Sequence, residues 1–211
     1  DNLFSDSVVA LDPDTGKLKW HFQFTPNDGH DWDSVQDMML VDRVWRGQNR
    51  KLLMHADRNG YFYVLDRTNG TFLSGTPFVY QNWNAGFDAK GRPSHVPGSN
   101  SSDEGSFLVY PTLSGATNFQ APSYSPITGW FYLAFSEGGQ QYVSTPQTIE
   151  RGRQYLGRGR AAGRVRRHRI RQRLVARLGR QGYQPPRRQS RCRTELRAHS
   201  PRESGRHGCA A

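Results

Sequence analysis

A strand-and-turn unit that recurs along the chain is the strongest constraint on its fold. The run Val9-Ala10-Leu11-Asp12-x-x-Thr15-Gly16 returns as Tyr63-Val64-Leu65-Asp66-x-x-Asn69-Gly70, and more loosely as Ser123-Tyr124-Ser125-Pro126-x-Thr128-Gly129. In each copy a β-prone run meets polar side chains that bond the local backbone, then a Gly that accepts φ > 0. Copies spaced 54 to 60 residues apart fit strand–turn–strand blades carrying insertions, the signature of a propeller. Three ordinary hairpin turns would be the plainer explanation, but they would not bring the same strand with them. Each blade is expected to bury one face only against its neighbours, so a few blades alone leave apolar faces wet.

The remaining pattern agrees with an all-β reading. Residues 17–24 alternate polar and apolar side chains as a half-buried strand does, and 7–11, 38–41, 51–55, 60–66, 106–110 and 130–135 are further strands. No amphipathic helix is evident before residue 145. Residues 82–105, with Gly86, Gly91, Pro93, Pro97 and Gly98, form a long polar insertion of the kind that is functional or disordered. Asn69-Gly70-Thr71 and Asn100-Ser101-Ser102 match glycosylation acceptors, a short and unspecific pattern.

Charge divides the 211 residues in two. Residues 1–157 hold 12 Lys+Arg against 16 Asp+Glu, whereas 158–211 hold 17 Arg, no Lys and two Glu, so the formal +11 of the whole belongs to the last quarter. A nucleic-acid reading of the total charge would rest on that quarter alone. No apolar run reaches the roughly 20 residues of a membrane-spanning helix. The first residues, Asp1 to Asp6, have neither the basic nor the apolar stretch of an export signal. Both cysteines, Cys192 and Cys209, lie in the basic tail, so cysteine usage says nothing of compartment.

Three polar clusters could carry chemistry. Asn27-Asp28-Gly29-His30-Asp31-Trp32-Asp33 packs three carboxylates and an imidazole into a short stretch. Such a group is solvated, paired or bound to a cation; carboxylates suit Ca²⁺ and His suits Zn²⁺ or Cu²⁺, but no calcium-loop spacing is present. His55-Ala56-Asp57-Arg58-Asn59-Gly60 places a guanidinium at a strand end, either to meet an anionic or quinone-like ligand or as a turn whose charges face water. Residues 112–120, ending Gly115-Ala116-Thr117-Asn118-Phe119, could present amide groups from a glycine-flexible loop.

Taken in order, these segments resemble one family. Ala10-Leu11-Asp12-Pro13-Asp14-Thr15-Gly16-Lys17-Leu18-Lys19-Trp20 is similar to the tryptophan docking motif of quinoprotein alcohol dehydrogenases. These are eight-bladed propellers carrying pyrroloquinoline quinone (PQQ) and a metal, usually calcium. Thr25 to Asp33 resembles the family segment ending in Trp-Asp; His55 to Gly60 with Leu65 to Gly70 resembles the next signature; Gly115 to Phe119 with Ser123 to Pro126 resembles a third. The resemblance covers residues 1 to about 157. It implies a partial propeller in which Asp33 is the general base and a metal ligand, Arg58 hydrogen-bonds the quinone oxygens and Asn118 contacts PQQ. Phe119 stands where the family often has Trp. Val35 occupies the position of the extra aspartate of lanthanide-using relatives, so calcium is the metal expected. An alcohol substrate, an electron acceptor such as a cytochrome c or a quinone, and a periplasmic location are implied in the same way; no nucleic acid and no membrane span are expected. A non-catalytic propeller scaffold for protein binding is the rival reading, but it would not need Trp32-Asp33, Arg58 and Asn118 together.

The family's Glu and Asn metal ligands, its vicinal cysteine pair and its cofactor-stacking Trp have no counterpart at matching positions, and no Cys-x-x-Cys-His haem motif occurs. The isolated chain is therefore expected to be inactive. Residues 158–211 contain no Lys, Asp, Asn, Phe, Trp or Met, and Tyr183 is their only aromatic. That composition predicts a disordered tail with too little apolar surface for a core, with at most a short basic helix over 170–178. Arg, Gly, Ala and Pro share GC-rich codons, which suggests out-of-frame translation. Sequencing the gene around codons 150–165 tests this: a one-base shift is expected to restore a blade with Asp-x-x-Thr-Gly, and its absence in every frame makes the tail genuine.

Overall fold

In a computed structural model the chain is described over residues 1–100, 106–143, 150–152, 172–179 and 182–184; residues 106, 107, 143 and those beyond 171 are described by backbone alone. The described residues form fourteen strands and no helix, so none of their segments is a helix long and apolar enough to cross a membrane. Strands β1 (Ser7–Leu11) and β2 (Leu18–Gln23) form a ribbon. A four-stranded antiparallel blade follows, in the order β3 (Met39–Trp45), β4 (Gln48–Ala56), β5 (Tyr61–Asp66), β6 (Thr71–Pro77). Two ribbons, β7 (Asn84–Phe87) with β8 (Pro93–His95) and β9 (Ser106–Val109) with β12 (Gln140–Val143), lead to a second four-stranded sheet. Its order is β10 (Ser123–Ser125), β11 (Trp130–Phe135), β13 (Gln172–Gly179), β14 (Gly182–Gln184).

The repeat seen in the sequence is one backbone turn used three times. Gly16 N donates to Asp12 O, Gly70 N to Asp66 O and Gly129 N to Ser125 O, each at 2.8 Å, and all three glycines have φ near +70°. The Asp12 carboxylate accepts from the Asp14 and Thr15 amides and the Thr15 hydroxyl, and Asp66 from the Thr68 amide and hydroxyl, which is why Asp and Thr occupy these positions.

The inner strands of the β3–β6 blade are buried on both faces. Along β4 and β5, Leu52, Met54, Ala56, Phe62 and Val64 point into a core shared with Phe131 and Leu133 of β11. The alternate residues Leu53, Tyr61, Tyr63 and Leu65 point the other way, into a core shared with Phe22, Phe24 and Trp83. Tyr61–Asp66 is buried at every position. The expectation that each blade buries one face only is therefore corrected for the inner strands β4 and β5, whereas β3 keeps one face wet at Leu40 and Val44. The outer ribbon behaves as expected, with Val9, Leu11 and Leu18 exposed.

Two different joints tie the neighbours to this blade. The Trp20 indole of β2 lies on Gly70 at the β5–β6 turn, where a Cβ would stand 2.7 Å from Trp20 Cε3. In the second copy of the motif the position equivalent to Trp20 is Ser74, and the next joint uses another side chain. Arg43 of β3 seats its guanidinium over Gly129, at the β10–β11 turn, and donates to the Tyr124 hydroxyl at 2.5 Å.

Of the two alternatives for the insertion, function or disorder, residues 82–100 exclude disorder: they are an ordered wall in which Trp83 is fully buried and donates to Asn59 O at 2.9 Å. Residues 101–105 of that insertion lie outside the described residues. The short basic helix expected over 170–178 is instead strand β13, paired antiparallel with β11 from Trp130↔Arg177 to Phe135↔Gln172. The open edge of β11 offers unpaired amides and carbonyls that a strand satisfies and a helix does not. The rest of 158–211, where disorder was expected, lies outside the described residues.

Gly16 and Gly70 give an internal control for the Trp20 joint. A Cβ at Gly16 meets nothing within 4 Å, so Gly16→Ala should cost only the left-handed backbone strain, about 1–2 kcal/mol. Gly70→Ala should cost about 1–3 kcal/mol more through the collision with Trp20. Urea unfolding of both variants measures the difference; equal losses contradict the joint.

Candidate active site

The site is built on two segments that the cores hold in place. In the first, buried Asp28 organises the loop before Asp33: its Oδ1 accepts from His30 N at 2.8 Å and its Oδ2 from Trp32 N at 2.6 Å. The His30 ring, itself fully buried, stacks on Trp32 at 4.0 Å and donates through Nε2 to Ser99 O. Trp32 is fully buried and donates Nε1 to Thr112 O at 2.9 Å. Burying the indole leaves its neighbour outside, and the Asp33 side chain is 65% exposed. The cluster 27–33 is thus neither wholly solvated nor a cation cage: Asp28 is an internal cap, while Asp31 and Asp33 face outward.

The second segment is the β4–β5 turn. Arg58 donates Nη2 to Leu113 O at 2.8 Å, and its Nη1 stands 3.6 Å from Asp33 Oδ2. Its Nε is buried with no hydrogen-bond partner. Gly115, at φ +77°, lies against the arginine stem, where a Cβ would stand 2.7 Å from Arg58 Cβ, and Ala116 N donates to Arg58 O at 2.8 Å. The alternative of a turn with water-facing charges is excluded, because Asp57 is fully buried and Arg58 nearly so.

The 112–118 loop therefore grips Arg58, and Asn118 belongs to it. Asn118 Nδ2 donates to Ser114 O at 2.9 Å and its Oδ1 accepts from Phe119 N at 2.9 Å, while Phe119 is exposed. Asp33 and Arg58 are joined directly; Asn118 reaches them only through its loop. Four further residues, Asp57, Ser34, His55 and Asp6, have surroundings that the sequence does not disclose. Asp57 Oδ2 accepts from the Ser34 hydroxyl at 2.5 Å and faces His55 Nε2 at 3.0 Å, and nothing in local spacing reveals a contact across 23 positions. Asp6, at φ +45°, lies within the field of Asp28, Asp57 and Asp33.

Among the described residues no three His, Cys, Asp or Glu side chains converge to hold a metal ion. Val35 is exposed and brings no oxygen. The cation at Arg58, with an orphaned Nε and a neighbouring exposed carboxylate, does fit one edge of an oxygen-rich, anionic ligand such as PQQ.

Sequence and structure comparisons agree on the class. Residues 1–77 match the family of glucose/ethanol/alcohol dehydrogenase β-propeller domains that bears the name PQQ. A quinohemoprotein alcohol dehydrogenase of Comamonas testosteroni is 47% identical over 133 residues, which are 63% of this chain and 19% of that protein. A quinoprotein alcohol dehydrogenase of Pseudomonas putida is 41% identical over 167 residues, 75% of this chain and 28% of that protein. Among solved structures, a quinohemoprotein alcohol dehydrogenase of Pseudomonas putida HK5 superposes with a TM-score of 0.68 at 39% identity, covering 72% of this chain and 23% of that one. A europium-containing methanol dehydrogenase gives 0.68 at 30% identity, covering 82% and 31%. The chain spans between about a fifth and a third of the length of these relatives. The fold is thus part of a quinoprotein β-propeller, and the chain fits a fragment of the quinoprotein alcohol dehydrogenase family.

The carboxylates generate a pH prediction. Burial, then the charges of Asp28, Asp57 and Asp33, push Asp6 up to about 7. The folded chain therefore holds a proton there that the unfolded chain has released between pH about 4 and 7, so this contribution favours folding at low pH and is lost as pH rises through 7. At Asp28, burial opposes ionisation, but hydrogen bonds from His30 and Trp32 outweigh it and hold the carboxyl below its ordinary value, so stability is lost there only in acid. Asp6→Asn should raise stability relative to the parent chain at pH 8 and by less at pH 5, as read by thermal unfolding; a gain independent of pH contradicts the assignment.

Proposed function

We propose that this chain is the segment of a PQQ- and calcium-dependent alcohol dehydrogenase that supplies the catalytic base and a quinone-contacting cation. The observation carrying this reading is the meeting of Asp33 with Arg58 at 3.6 Å, at one end of the blade's doubly buried inner strands. Asp33, exposed and fixed beside buried Trp32, takes the proton from the alcohol hydroxyl as general base. Arg58, clamped by Leu113 and Gly115, hydrogen-bonds the quinone oxygens and keeps the cofactor in register with Asp33. Asn118 adds an amide contact from the same loop, and turning it toward the cofactor requires release of its bond to Ser114. Bound PQQ supplies the hydride acceptor, so the alcohol leaves as an aldehyde.

Calcium is the metal proposed, with Asp33 as one ligand and the others supplied from outside this chain. A cytochrome c or a quinone is the electron acceptor proposed, and the periplasm the compartment. Residues 1–157 form the partial propeller in this reading, and 158–211 are an out-of-frame translation. Because the donor set for the metal is incomplete, the purified chain with PQQ and Ca²⁺ should show no alcohol-dependent dye reduction. Residues 1–143 replacing the matching segment of a full-length relative should support that reduction, and Asp33→Asn in this chimera should lower it by at least about a hundredfold. An active isolated chain, or an Asp33→Asn chimera as active as its parent, contradicts the proposal.

A further inference from the structure

Buried Asp57 is unused by the chemistry above, yet it is the most heavily bonded carboxylate of the site. Its Oδ2 accepts from the Ser34 hydroxyl at 2.5 Å and stands 3.0 Å from His55 Nε2, and its Oδ1 accepts from Asn59 N at 2.9 Å. Ser34 directly follows Asp33, and Asp57 directly precedes Arg58. Two successive residues of one segment thus meet two successive residues of the other, as an outer rung, Asp33–Arg58, and an inner rung, Ser34–Asp57.

The two rungs differ in what can hold them. The outer one is long and ends on a carboxylate that is 65% exposed, so solvent screens it and it contributes little to order. The inner one is short and ends on a fully buried carboxylate that accepts from three donors, so breaking it removes one of the three bonds that satisfy that carboxylate. His55, whose ring is fully buried and lies 4.5 Å from the Phe24 ring, anchors the inner rung to the core.

We infer that Asp57 and Ser34 are positioning residues: the hydrogen bond from the Ser34 hydroxyl to buried Asp57 holds the Asp33 backbone at the distance from which its carboxylate faces both Arg58 and the substrate. The inference rests on the functional reading above for its purpose, but not for its geometry. It requires the Ser34 hydroxyl, not merely a side chain of that size.

The test uses the whole chain with Ser34→Ala, Ser34→Thr, Arg58→Ala and Asp57→Asn, and reads two quantities. Amide hydrogen exchange over residues 33–36 should quicken about fivefold in Ser34→Ala, the loss of one net hydrogen bond, and return toward the parent rate in Ser34→Thr, while β4 and β5 stay unchanged. PQQ affinity, followed by tryptophan fluorescence, should weaken by a similar factor in Ser34→Ala and recover in Ser34→Thr. In the Arg58→Ala background, Ser34→Ala should add no further loss. Asp57→Asn should behave as Ser34→Ala does if folded; if it does not fold, the Ser34 pair carries the test. Unchanged exchange at 33–36 in Ser34→Ala overturns the inference. Quickened exchange in a chain that binds no PQQ supports the positioning and counts against the functional reading instead.

Discussion

Everything in this molecule depends on the two-sided burial of the inner strands of the β3–β6 blade. A sheet that buries both faces has to supply apolar side chains in both directions, and it has to be flanked. Phe62, Val64 and Met54 on one side and Tyr63, Leu65 and Leu53 on the other meet that demand. The joints at Gly70 and Gly129 then set how closely each neighbour approaches. One uses an indole and the other a guanidinium bonded to a tyrosine, so the same glycine turn accepts two chemically different keys.

The site follows from where that blade ends. The turn after β4 must leave the core, and its first residues are still buried when Arg58 emerges. The loop carrying Asp33 is pinned to the same place by a buried tryptophan, a capping aspartate and a stacked histidine. An outward-facing carboxylate and a nearly buried guanidinium are thereby held near one another. Such preorganisation lets a base and a cofactor contact act without first reorganising.

Much of this was legible in the sequence because it is local. Each turn closes within five residues on a glycine whose amide bonds the carbonyl four positions back, so the recurring strand-and-glycine pattern points to three hairpins. The alternation in 17–24 revealed a half-buried ribbon strand. Strand β5 was recognisable from its β-branched and aromatic residues, but its lack of alternation, the mark of burial on both faces, was not read as such. What escaped was what depends on distant partners. Arg43 on Gly129, Ser34 on Asp57 and His30 on Ser99 each join positions far apart in the chain. Strand β13 looked helical because Arg and Leu favour helices; the unpaired edge of β11 overrode that propensity. Motif resemblance points to Asp33, Arg58 and Asn118, and the fold brings the first two together while leaving the third bonded within its own loop.

The central claim is that Asp33 and Arg58 of this segment form one face of a quinone site. A crystal structure of a full-length relative carrying residues 1–143 in place of its own matching segment, with PQQ bound, tests it most directly. The account predicts the Arg58 guanidinium within hydrogen-bond distance of the quinone oxygens, and the Asp33 carboxylate beside the same ring edge. A cofactor bound with Arg58 still bonded only to Leu113 and Asp33, or with Asp33 turned away to solvent, would contradict it.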